Sequence, residues 1–69
     1  SVYPNPVNKG SEITFYSTEK IGTIDLYNSL GEKIKTVNNS FNTQELPTGI
    51  YFAKINTSKG TVTKKIIVQ

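Results

Sequence analysis

The stretch Leu46-Pro47-Thr48-Gly49-Ile50-Tyr51-Phe52-Ala53-Lys54-Ile55-Asn56 decides the fold. Pro47 fixes its own φ and Gly49 tolerates a positive one, so the first four residues read as a turn. From Ile50 onward, Tyr51, Ala53 and Ile55 alternate with Ile50, Phe52 and Lys54, the period of a strand with one face buried. A Pro-led, Gly-containing turn directly before a strand whose second residue is Tyr is what a β-sandwich uses to cross between its sheets. At such a corner the Tyr hydroxyl bonds back to upstream backbone. Tyr51 therefore reads as a structural corner. Ile50 and Phe52 fall on the opposite face, where they would form an apolar patch with Tyr16 or Tyr27.

The same period runs outward from this stretch in both directions. Thr61 to Val68 is the partner run, joined to Ile50–Asn56 by the hairpin turn Thr57-Ser58-Lys59-Gly60. Upstream, Ile24 and Leu26 point inward between Thr23, Asp25 and Tyr27, and Asn28-Ser29-Leu30-Gly31 turns the chain into a returning strand from Glu32 to Val37. Asn38-Asn39-Ser40 is a further turn before a short strand at Phe41-Asn42-Thr43. Ser11 to Ser17 places Ile13 and Phe15 on one face and Glu12, Thr14 and Tyr16 on the other. With an extended piece from Tyr3 to Val7, about seven strands result, with turn signals about every 8 to 12 residues. That is the pattern of an all-β, immunoglobulin-like antiparallel β-sandwich occupying residues 1–69 as one domain. Nine Thr and seven Asn against a single Ala favour strands and turns over helices in the same way.

Composition excludes most chemistry. The 69 residues contain no Cys, His, Met, Trp or Arg. Thiolate nucleophiles, disulfides, thiolate metal sites and an imidazole base are all ruled out. Ser and Thr hydroxyls lack a positioned base, and the five acids, Glu12, Glu19, Asp25, Glu32 and Glu45, show no metal-loop spacing. Neither an enzyme nor a cofactor is expected.

Eight Lys against five acids give a formal charge of +3, but the cations are spread along the chain and none is Arg, so nucleic acid is not the expected partner. Lys33, Lys35, Lys64 and Lys65 lie in strand-like runs, where Lys guards exposed sheet edges. The longest apolar run, Ile66-Ile67-Val68, is far short of the roughly 20 residues a spanning helix requires, so no membrane span is expected either. The two ends are the distinctive parts. Tyr3-Pro4-Asn5-Pro6 is stiff, poor in N–H donors and compatible with a strand only at a sheet edge. Lys64-Lys65-Ile66-Ile67-Val68-Gln69 reads as an aliphatic strand whose edge could be offered to a partner sheet.

Four motifs, in order, carry a resemblance: Tyr-Pro-Asn-Pro at 3 to 6, Leu-Tyr-Asn-Ser-Leu-Gly at 26 to 31, Leu-Pro-Thr-Gly-Ile-Tyr-Phe at 46 to 52 and Lys-Lys-Ile-Ile-Val at 64 to 68. Together they resemble the type A C-terminal sorting domain of the type IX (Por) secretion system of the Bacteroidota. The resemblance implies a non-catalytic, monomeric secretion signal cut from a larger protein, which fits a chain that opens at Ser1 without an initiator Met or signal peptide. It further implies a covalently linked N-terminal cargo domain, passage through the periplasm, an outer-membrane shuttle barrel that receives the domain, and a surface sortase that removes it. The destination would be the outer-membrane surface or the exterior. By position, the residues that such a translocon would recognise are Pro4, Asn5 and Pro6 in the opening motif, Gly49 and Tyr51 in the Gly-x-Tyr motif, and Lys65, Ile66, Ile67 and Val68 in the closing one. The chain has Asn28 where the family often has Asp. A second reading is an accessory immunoglobulin-like module of a surface enzyme or adhesin, with Tyr16 and Tyr27 stacking on sugar rings.

Overall fold

A computed structural model describes residues 2, 3 and 5–69, with side chains described from residue 5 onward. The chain is all-β, with six strands of three to nine residues and one of two: β1 (Val2–Tyr3), β2 (Glu12–Phe15), β3 (Ile21–Asn28), β4 (Lys33–Val37), β5 (Ser40–Asn42), β6 (Gly49–Thr57) and β7 (Gly60–Val68). They form two antiparallel sheets, one of three strands in the order β1-β2-β5 and one of four in the order β4-β3-β6-β7. The alternation expected in β2, β3, β6 and the last three residues of β7 is realised as burial, whereas β4 and the first half of β7 are largely exposed. Ile13 and Phe15 of β2, Ile24 and Leu26 of β3, Tyr51, Ala53 and Ile55 of β6, and Ile66 and Val68 of β7 meet in one core between the sheets.

The sandwich is closed on both sides by its own chain. On one side Lys35 of β4 reaches across, its Nζ 5.7 Å from the centre of the Phe41 ring, a cation–π distance. Phe41 in turn stacks on Phe15, with 6.0 Å between centroids. On the other side the extended piece expected from Tyr3 to Val7 is not one strand. Val2 and Tyr3 pair with Phe15 and Thr14 in the three-stranded sheet, whereas Val7 forms a parallel bridge to Val68 on the outer edge of the four-stranded one. The chain changes sheets within this piece, and the Asn5–Pro6 peptide is cis. Pro6 lies beside the outer edge of the four-stranded sheet, where a missing N–H donor costs no ladder bond, and Pro4 lies outside the described residues.

Loops are tied by side chains as well. Thr43 is fully buried, and its Oγ1 accepts a bond from the Gly10 N–H (3.0 Å) and donates to the Ser11 carbonyl (2.8 Å). That hydroxyl anchors the loop between Val7 and β2 to the end of β5. The β6–β7 hairpin extends past the three-stranded sheet. Lys64 and Val62, which have inward parity opposite Ala53 and Ile55, are consequently exposed.

Candidate functional site

The expected recognition residues come from three places far apart in sequence, and the fold brings them to one end of β7. Gly49 pairs with Val68 and Tyr51 with Ile66, so the Gly-x-Tyr motif lies alongside the closing motif as its inner neighbour. Asn5, Pro6 and Val7 lie along the opposite, outer edge of the same residues. Pro4 lies outside the described residues.

The outer contact has a specific geometry. Val7 N donates to Ile67 O and Gln69 N to Val7 O, both at 2.8 Å, and Lys9 N donates to Gln69 O at 3.0 Å. One step earlier the Asn5 side chain takes over: Nδ2 donates to Lys65 O at 2.8 Å, and Oδ1 accepts from Ile67 N at 3.1 Å. In a parallel ladder these are the two bonds that the main chain of residue 5 would make opposite Ile66. The side-chain amide supplies them, while the backbone is directed toward the other sheet. A primary amide on a short stem carries the donor and the acceptor this requires on two adjacent atoms, and the partners fix its orientation, since a carbonyl can only accept and an N–H can only donate. The expectation that the last strand offers a free edge is therefore corrected. From Lys65 O to Gln69 that edge is occupied by the chain's own residues 5–9, and open edge remains only along the first half of β7.

Tyr51 forms the expected corner: its ring is buried, and its hydroxyl donates to the Pro47 carbonyl at 2.5 Å. Gly49, with φ of 153°, occupies a conformation that side chains disfavour, although a Cβ there would meet nothing within 4 Å. The motif residues divide accordingly. Tyr51, Ile66 and Val68 are core, Gly49 provides backbone geometry, and Asn5 is an edge clasp. Pro6 and Lys65 are exposed, and Ile67 is half-buried with its side chain on the outer face.

That outer face of the four-stranded sheet carries a second set of residues. Strand register places Tyr27, Phe52 and Lys65 in one row across β3, β6 and β7, and Ile50 beside Ile67 in the next. The patch expected from Ile50 and Phe52 thus exists with Tyr27 in it. Tyr16 lies beyond the end of β2 in the other sheet, so the two tyrosines do not share a face and do not make one sugar-stacking platform. Toward the sheet centre the face becomes polar. Asp25 accepts from Thr36 Oγ1 (2.8 Å) and Asn56 Nδ2 (3.5 Å) and pairs with Lys33 Nζ at 3.3 Å. Asn56 also donates to Thr23 and accepts from Thr61. The Thr36 hydrogen bond foremost, and then those of Lys33 and Asn56, hold the Asp25 carboxyl below its ordinary pKa against the opposing effect of partial desolvation.

Asn28 shows how the turn at the same end tolerates the absence of Asp. Its Oδ1 accepts from Leu30 N and Glu32 N, both at 3.0 Å, as a carboxylate would, and its Nδ2 donates to Glu32 Oε1 at 2.8 Å. A carboxylate there would face Glu32 as a like charge. Among the described residues there is no cluster of acids able to hold a metal ion, and no helix long and apolar enough to cross a membrane.

The chain is thus a small two-sheet sandwich whose marked residues set up one strand end and one exposed sheet face. A family profile described as the secretion system C-terminal sorting domain matches residues 1–69, and the chain belongs to that family, the C-terminal sorting signals of type IX secretion. No curated protein matches the chain. Membership makes the domain a signal for export to the cell surface or exterior, acting with the type IX machinery on behalf of a cargo.

Proposed function

We propose that the domain is a non-catalytic address read in the folded state. A cargo linked to its N-terminal side crosses the periplasm, an outer-membrane shuttle barrel receives the folded domain, and a surface sortase removes it. The observation that carries this reading is the convergence of the three motifs on the end of β7. Residues useless for catalysis and remote in sequence together determine whether one strand end is formed. In this account Asn5, Gly49, Tyr51, Ile66 and Val68 act by building the signal, and Lys65 and Ile67 are presented to the machinery.

The test is a fusion in which a Sec signal peptide and a fluorescent reporter precede residues 1–69, expressed in a host that has the secretion system. The expected result is reporter at the surface or in the medium, and reporter confined to the periplasm contradicts the proposal. Removing Ile66 to Gln69 deletes two core side chains and most of the bonds to the Asn5–Lys9 segment. Export is expected to stop. Unimpaired export of the trimmed fusion would show that the terminal strand is not read.

A further inference from the structure

Apart from Lys65 and Ile67, the residues on the outer face of the four-stranded sheet have no role in the reading above. Its inner face packs on the three-stranded sheet, but the outer one has no covering element among the described residues. Polar side chains at its centre satisfy one another through Asp25 and Asn56, as a solvated surface should. The end near Gly49 and Val68 differs. There Tyr27 and Phe52 are neighbours across strands, Ile67 lies beside Ile50, and Ile50 is 42% exposed. Contiguous apolar surface on one end of a sheet face marks an interface more often than it serves stability.

The charges around this end identify the kind of occupant. Lys33 is neutralised by Asp25. Lys54, in the row next to Phe52, and Lys65, opposite it, have no ion pair among the described residues. A second copy of the chain would bring these cations against their own kind, a juxtaposition that disfavours pairing. An anionic membrane is the poorer fit, because two free lysines are fewer than the clusters of about four to eight that bind such surfaces, and a flat sheet face inserts no side chain deeply.

We propose that this face docks a protein surface of the export machinery that presents an apolar centre flanked by carboxylates, with Ile50, Phe52 and Tyr27 against the centre and Lys54 and Lys65 against the acids. The proposal rests on the reading of the domain as a recognised signal and adds which surface is read and by what chemistry. It also gives Lys65 and Ile67 a role separate from holding the strand.

The experiment uses the reporter fusion with three variants: Lys54→Glu/Lys65→Glu, Ile50→Thr, and a control, Lys20→Glu/Lys64→Glu, with the same charge change. Lys20 precedes β3, and Lys64 has the opposite parity to Lys65, so neither belongs to the face. Thermal unfolding of each purified fusion establishes that the domain remains folded, and Ile50→Thr retains a β-branched residue in case the charge reversal does not fold. The expected result is a loss of export of about tenfold or more for the charge reversal, a smaller loss for Ile50→Thr, and export like wild type for the control. Wild-type export with both face variants equal to the control overturns the docking face and leaves the sorting role intact. A wild-type fusion that is not exported overturns both. Two further results count against an acidic protein partner: wild-type binding to phosphatidylglycerol-containing vesicles that the face variants lose, and a wild-type dimer in sedimentation that Ile50→Thr dissociates.

Discussion

Asn5→Ala tests the physical reasoning about the end of β7 at a single side chain. The substitution removes the bonds to Lys65 O and Ile67 N and nothing from the core, since Asn5 is exposed. A net contribution of about 0.5–1.5 kcal/mol per hydrogen bond, reduced because water can reach both backbone groups, gives a loss of about 1–2 kcal/mol. For a domain of this size, 1 kcal/mol corresponds to roughly 4–8 °C in melting temperature, so the variant should melt about 5–15 °C below wild type. The loss should also be local before it is global. Amide exchange should accelerate first at Val7, Ile67 and Gln69, whose N–H groups bond across this edge. Asn5→Asp distinguishes the clasp from generic side-chain packing. A carboxylate can accept from Ile67 N but, when ionised, offers no donor to Lys65 O and places a negative charge against that carbonyl. It should be at least as destabilising as Ala. Melting by circular dichroism with exchange read by NMR measures both effects. Unchanged melting for Ala, or wild-type stability for Asp at neutral pH, would refute the assignment of Asn5 as a stand-in for a backbone rung.

Other perturbations separate core, corner and face. Tyr51→Phe keeps the buried ring and removes the bond to Pro47 O, for an expected loss of about 0.5–1.5 kcal/mol in chemical denaturation. Ile66→Ala empties a fully buried site at a cost of about 2–5 kcal/mol. That is comparable to the entire margin of so small a domain, so the variant should be largely unfolded by circular dichroism at about 37 °C. Asp25 titrates below its ordinary value of 3.8 in the folded chain, so its contribution is fully present above that pH and disappears as pH falls through the folded pKa. Melting temperature should therefore decline in acid, and Asp25→Asn should flatten that part of the profile. An identical acid decline in Asp25→Asn would show that other groups cause it.

Strand positions were legible in the sequence because they depend on local alternation. The runs around Ile24, Tyr51 and Ile66 each bury one parity, and the corner at Pro47 and Tyr51 is encoded within five residues. What was not legible depends on pairs distant in the chain. The Asn5 contacts join residues separated by 60 and 62 positions, and no local pattern announces that an amide will replace a backbone rung. Val7 appeared as part of one extended piece because Pro4 and Pro6 favour extension without specifying which sheet is joined. Thr43, a lone hydroxyl in a polar stretch, gave no sign that it would be the buried anchor of a loop. Val62 and Lys64 pair with the buried Ile55 and Ala53 yet are exposed, an outcome that depends on where the hairpin outruns the opposite sheet and not on local alternation. The apolar face was half legible. Alternation put Ile50 and Phe52 together, but only register across β3 and β7 could choose Tyr27 over Tyr16 and add Ile67 and Lys65.

The central claim is that Asn5, Gly49 and Tyr51 serve export by forming the end of β7 rather than by touching the machinery. The measurement that tests it most directly is export of the reporter fusion for Asn5→Ala, Gly49→Ala and Tyr51→Phe, plotted against the folded fraction of each purified fusion at the growth temperature. All three should fall on one curve with wild type, losing export only as they lose the folded state. A variant at any of these positions that melts like wild type yet leaves its reporter in the periplasm would contradict the account.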